Sequence, residues 1–121
     1  MENLNKEHFT LKDIFDLQFA FQQMISSPIC EKHHDDDRNI LYREHCIFTI
    51  EEIIEGLREI NHKPWKKSRQ DDNIDKLKDE LIDEFRFFIN RCIIMGLTYS
   101  EFQTRLSESM KKTYERFRNN Y

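Results

Sequence analysis

The chain has 121 residues, 35% of them charged, with a formal net charge of −4 and only two glycines and two prolines. That length fits one domain, residues 1–121, with a modest core, and the negative balance excludes a protein whose main task is to coat nucleic acid. So few breakers, with apolar residues recurring at every third and fourth position, favour helices, and the expected fold is all-α.

Met1 to Thr10 is polar and acidic, without the basic and apolar runs of a secretory signal. The first helix is expected from about Leu11 to Ile25, with Thr10 as N-cap, Asp13 at the positive end of its dipole and Ser26-Ser27-Pro28 ending it. Its apolar residues surround much of the helix, which predicts contacts on two sides, one of them a partner subunit. Residues 29–39, with His33-His34-Asp35-Asp36-Asp37, read as a mobile surface loop.

A second helix is expected from about Ile40 to Ile60, then a charged connector from Lys63 to Asn73 that holds Trp65. The third helix starts at Asp72 or Asn73 as cap and ends with Gly96 just beyond its last turn. Leu77, Leu81, Phe85, Phe88, Cys92 and Met95 form its expected core stripe, with Ile82, Ile89 and Ile93 on a second apolar side. Thr98-Tyr99-Ser100-Glu101 reads as a capping box opening a fourth helix with Phe102, Leu106, Met110, Tyr114 and Phe117. A bundle of four to five helices is the economical architecture.

No stretch is apolar enough for a bilayer span, since Arg86, Asn90 and Arg91 interrupt the longest apolar run. Cys30, Cys46 and Cys92 lack disulfide spacing and predict reduced thiols in a cytoplasmic protein. A zinc site from Cys30, His33, His45 and Cys46 is disfavoured, because adjacent ligands fit one tetrahedral ion badly.

Two carboxylate pairs carry the functional signal: Glu52 with Glu55, and Glu80 with Asp83. Each pair is spaced i, i+3 and shares a helix face, so the two can converge on one hard cation, Mg2+ by preference and Mn2+ as the alternative. Close carboxylates repel one another unless a cation or proton lies among them. The competing reading is a solvated acidic helix face. Between the pairs, Lys63-Pro64-Trp65-Lys66-Lys67 supplies cations for phosphate oxygens and an aromatic plane for a base; taken alone, it reads rather as an exposed basic loop with Trp65 as a core plug.

In these residues the chain resembles the all-α nucleoside triphosphate pyrophosphatases, whose pattern is Glu-x-x-Glu followed by Glu-x-x-Asp. Within that MazG-like superfamily it looks most like the dimeric dUTPases and the phage dCTPase-dUTPases, through Lys63-Pro64-Trp65-Lys66-Lys67, Glu80-Leu81-Ile82-Asp83-Glu84-Phe85-Arg86-Phe87-Phe88-Ile89-Asn90 and Gly96-Leu97. The likeness is strongest over residues 51–97. Leu17-Gln18 resembles the start of the base-recognition helix, with Phe21 where an Asn is often found. Lys111 and Arg118 match the C-terminal Lys-Asn-x-x-Asn-x-x-Arg-x-Asp pattern, in which Lys112, Glu115 and Asn120 replace the two Asn and the Asp.

The resemblance implies a homodimer that hydrolyses dUTP, or alternatively dCTP, to monophosphate and pyrophosphate, with no membrane or stable nucleic-acid partner. Glu52, Glu55, Glu80 and Asp83 would bind the metal, and Glu52 or Glu55 would position or deprotonate the attacking water. Gln18 and Trp65 would contact the base, and Lys66, Lys67, Lys111 and Arg118 the triphosphate. A MazG-type enzyme acting on other nucleotides and a nonenzymatic nucleotide-binding dimer are the rival readings.

Overall fold

Residues 4–60, 65 and 71–119 are described by the computed structural model, and among them the chain forms four α-helices and no strand. Helix α1, Leu11–Met24, opens on a reciprocal cap. The Thr10 hydroxyl accepts from the Asp13 backbone N–H at 3.1 Å, and the Asp13 carboxylate accepts from the Thr10 N–H at 3.1 Å. The helix ends as the chain passes through Ser26 in the left-handed region, at φ 54°.

A short 3-10 turn, Pro28–Cys30, buries Ile29. Helix α2 then runs Asp35–Leu57, beginning ahead of the expected Ile40 and stopping short of Ile60. The expected surface loop is therefore in part a 3-10 turn anchored by Ile29 and in part the start of a helix, with most of its side chains exposed. Asp35, Asp36 and Asp37 occupy the first turn of α2, where the helix dipole favours negative charge.

Helix α3, Ile74–Ile94, is capped by Asn73, whose side-chain oxygen accepts from the Lys76 N–H at 3.1 Å. Gly96 follows at φ +69°, a conformation in which a Cβ is strained. Helix α4, Tyr99–Arg118, starts with the Thr98 hydroxyl accepting from the Glu101 N–H at 3.2 Å.

Helices α2 and α3 form an antiparallel hairpin closed at its mouth. The Asn73 N–H donates to the Glu59 carbonyl at 2.7 Å, and Lys76 pairs with the Glu59 carboxylate at 3.2 Å. The core lies towards the other end, where Phe15, Ile89 and Cys92 are buried against Ile14, Phe88, Ile93, Leu97, Tyr99 and Phe102. Phe102 sits 5.1 Å from the Phe15 ring and 5.8 Å from the Phe88 ring, which ties the first turn of α4 to α1 and α3.

This placement corrects the expected core of α3. Ile89, from the second apolar side, is its fully buried centre, whereas Leu81, Phe85 and Met95 from the expected stripe are exposed. The cause is the short reach of α1 and the 3-10 turn, whose contacts gather at the C-terminal half of α3 and leave α2 to cover the rest. Beyond its first turn α4 has no buried residue, and Leu106, Met110, Tyr114 and Phe117 remain open.

Candidate metal centre

Gly56 lets the two arms of the hairpin approach where the acids lie. A Cβ added there would stand 2.9 Å from Leu77 Cδ1 and 3.4 Å from Glu80 Cβ, so the bare backbone of α2 rests against the side chains of α3. One turn earlier on α2, Glu52 points into the same seam. Ligand oxygens of Glu52, Glu80 and Asp83 all lie within 4.8 Å of one another.

These three carboxylates are half-buried, and Glu52 Oε2 and Glu80 Oε2 are fully shielded from solvent with no hydrogen-bond partner. Ionised carboxylates only accept, so the two oxygens cannot satisfy each other without a proton or cation between them. That conflict pushes Glu52 from 4.5 up to about 7: chiefly because only its protonated form can donate to the neighbouring Glu80 carboxylate, then burial, then the charges of Glu55, Glu80 and Asp83. Three converging oxygen donors with two orphaned oxygens fit a hard divalent cation, which would supply the missing partner.

The other expected site residues fall into separate groups. Glu55 is exposed outside the group of three and acts on it through its charge. Trp65 is 74% exposed, which removes the core-plug reading. Lys66 and Lys67 lie outside the described residues, as do Lys63 and Pro64. Lys111 and Arg118 are exposed on α4. Cys30, His33, His45 and Cys46 do not gather into a ligand group among the described residues, and the three cysteines are free.

Gln18 is buried where α1 meets α3. Its Nε2 donates to Asn90 Oδ1 at 2.9 Å, and its Oε1 accepts from Arg86 Nε at 3.2 Å. Asn90 and Arg86 were absent from the sequence-derived site. The signal for Asn90 was a short amide next to Ile89 in the most apolar half of α3, too short to snorkel to solvent as Arg86 and Arg91 can, so that it needs a hydrogen-bond partner if buried. Gly56 carried a similar signal, because glycine inside a helix costs about 1 kcal/mol relative to alanine and asks for a packing reason.

A second polar contact crosses the hairpin beyond the acids. Arg91 donates to the Thr49 hydroxyl at 2.6 Å, and that hydroxyl donates to the His45 carbonyl at 2.9 Å. Burial lowers the pKa of His45. Below the acids, a cleft of about 170 Å³ is walled largely by apolar side chains, among them Ile53, Leu57 and Leu81.

Fold and site together define an all-helical protein with a carboxylate seam suited to a divalent ion. A family model described as dUTPase matches residues 10–120, and the chain belongs to this family of all-α dUTPases. No curated protein and no solved structure matches it. Membership supports nucleoside triphosphate hydrolysis, a reaction for which dUTPase-type enzymes generally use a divalent metal. Among the described residues no helix is long and apolar enough to cross a membrane.

Proposed function

We propose that this protein is a magnesium-dependent hydrolase that converts a pyrimidine deoxynucleoside triphosphate, dUTP in the first place and dCTP as the alternative, to the monophosphate and pyrophosphate. The observation that carries the reading is the convergence of Glu52, Glu80 and Asp83 with two buried, partnerless oxygens. Glu52, Glu80 and Asp83 hold the metal, Glu55 joins them from the solvent side, and Mn2+ is the ion most able to replace Mg2+. A bound divalent ion supplies charge stabilisation at the phosphate oxygens.

The chain's own residues divide the remaining work. Glu52 or Glu55 orients the attacking water and takes its proton. Trp65 offers an exposed ring for stacking, and Gln18 an amide for the base edge. Lys66, Lys67, Lys111 and Arg118 supply charge for the triphosphate chain.

The cleft beside the acids is smaller than the roughly 300 Å³ at which ligand pockets begin, so the connector and a second subunit complete the substrate site. Ile47, Ile50 and Ile53 on α2, with Leu106 and Met110 on α4, are exposed apolar residues of the kind a dimer covers. Three free cysteines fit a reducing, cytoplasmic setting.

Glu80→Ala and Asp83→Ala each abolish magnesium-dependent pyrophosphate release while leaving helical circular dichroism unchanged. The assay takes dUTP, dCTP, dTTP and the ribonucleotides in parallel. Full turnover in either variant refutes the assignment, activity confined to other nucleotides moves the protein to the MazG type, and binding without turnover makes it a nucleotide-binding protein.

A further inference from the structure

The contact between α1 and α3 has a direction, and one side chain sets it. Gln18 and Asn90 are both buried, 7% and 4% exposed, and face each other through amides. Two facing amides can satisfy one another in either of two orientations, with Gln18 donating to Asn90 or Asn90 donating to Gln18. Taken alone, the pair is nearly degenerate. Arg86 removes the degeneracy, since a guanidinium has donors and no acceptor, and its Nε stands 3.2 Å from the Gln18 amide. The Gln18 atom facing it must be the oxygen; Nε2 must then face Asn90, and Asn90 must answer with Oδ1 at 2.9 Å.

Arg86 is itself held in place. Its Cζ lies 5.7 Å from the centroid of the Phe21 ring, one helical turn beyond Gln18 on α1, so a cation–π contact supports the guanidinium while Nε is engaged. Turning the Gln18 amide over would oppose its N–H2 to the Arg86 N–H in a buried setting, where an unmade hydrogen bond is costly.

Uracil and cytosine differ in the property such a lock controls. Uracil presents an N3–H donor beside an O4 acceptor, whereas cytosine presents an N3 acceptor beside an N4–H2 donor. An amide reading these two positions must lie one way for uracil and the other way for cytosine. We propose that Arg86 is a specificity-determining positioning residue: by fixing the orientation of the Gln18 amide through Nε, with Asn90 as the second clamp, it commits α1 to one of the two pyrimidines. This rests on the reading that Gln18 contacts the base, and Arg86 acts through Gln18.

The test compares wild type, Arg86→Met and Arg86→Lys. Methionine keeps length without a donor, and lysine keeps a donor without the planar fork; Arg86 itself is exposed on α3, and circular dichroism checks that each variant folds. Kinetics with dUTP and dCTP give the ratio of kcat/KM, and titration calorimetry with dUMP and dCMP gives the same ratio from binding alone. Wild type is expected to discriminate between the two bases. Arg86→Met should reduce that discrimination about tenfold, the scale of one hydrogen bond reversed, chiefly through KM. Arg86→Lys should restore most of it.

In nitrogen-15 spectra the Gln18 side-chain N–H2 pair should be protected from exchange in wild type and Arg86→Lys, and lose that protection in Arg86→Met. Equal treatment of the two bases by wild type, or an unchanged ratio in Arg86→Met, overturns the inference. Should neither triphosphate be hydrolysed while dUMP and dCMP bind with the expected ratios, the hydrolase reading fails and the lock stands; binding of neither monophosphate overturns both.

Discussion

Replacing Glu52 with glutamine separates the electrostatic conflict of the acid cluster from its function. Glutamine has nearly the same shape, carries no charge and can donate to Glu80 the hydrogen bond that Glu52 offers only when protonated. Moving a carboxyl from 4.5 to about 7 corresponds to an energy on the order of 3 kcal/mol against the charged form. Partial exposure of Glu52 screens this to about 1–2 kcal/mol.

The sign follows from proton binding. Between 4.5 and about 7 the folded protein holds a proton that the unfolded chain releases, so stability from this group is present at low pH and is lost as pH rises through about 7. Metal-free wild type should therefore melt at lower temperature at pH 8 than at pH 5 by this contribution. Metal-free Glu52→Gln should melt roughly 4–8 °C above wild type at pH 8, with a flatter profile between the two pH values. Magnesium should raise the melting temperature of wild type at pH 8 and act weakly on the variant. Differential scanning fluorimetry in chelator, with and without magnesium, reads all three effects. A variant that melts at or below wild type at pH 8, or keeps the same slope with pH, refutes the argument that the three carboxylates repel one another in the folded state.

Two further outcomes follow from the packing. Gly56→Val places branched carbons where a single Cβ already meets Leu77 at 2.9 Å, so it should cost about 1–3 kcal/mol and weaken Mn2+ binding by separating Glu52 from Glu80; unchanged Mn2+ affinity in calorimetry would show that the close approach does not set the site. Met110→Lys changes a residue 64% exposed in the single chain, so helicity should hold while self-association weakens about tenfold or more; an undiminished dimer in sedimentation velocity excludes α4 from the interface.

What is legible in the sequence follows the range of the interaction involved. The starts of α1, α3 and α4 at Thr10, Asn73 and Thr98, and the turn at Gly96, are written in side chains that act within three or four residues. The start of α2 is misread because three aspartates fit a solvated loop and a helix N-terminus equally well in composition. The pairing of Glu52 with Glu80 and Asp83 is visible as two spacings, but the outward position of Glu55 depends on the angle at which α2 lies on α3. Gln18 is singled out only through the family resemblance, and Arg86 and Asn90 meet it from 68 and 72 residues away, where no local pattern announces such a contact.

The latch at the mouth of the hairpin has a consequence for how this protein can vary. Asn73 and Lys76 both grip Glu59, so the chain just past the end of α2 is tied directly to the start of α3. Changes at Glu59, Asn73 or Lys76 therefore bear on the spacing of Glu52, Glu80 and Asp83, which lie on the two helices that the latch joins. The gathering of charge at the seam is thus tied to a polar contact at the mouth of the hairpin, made by none of the cluster's own carboxylates.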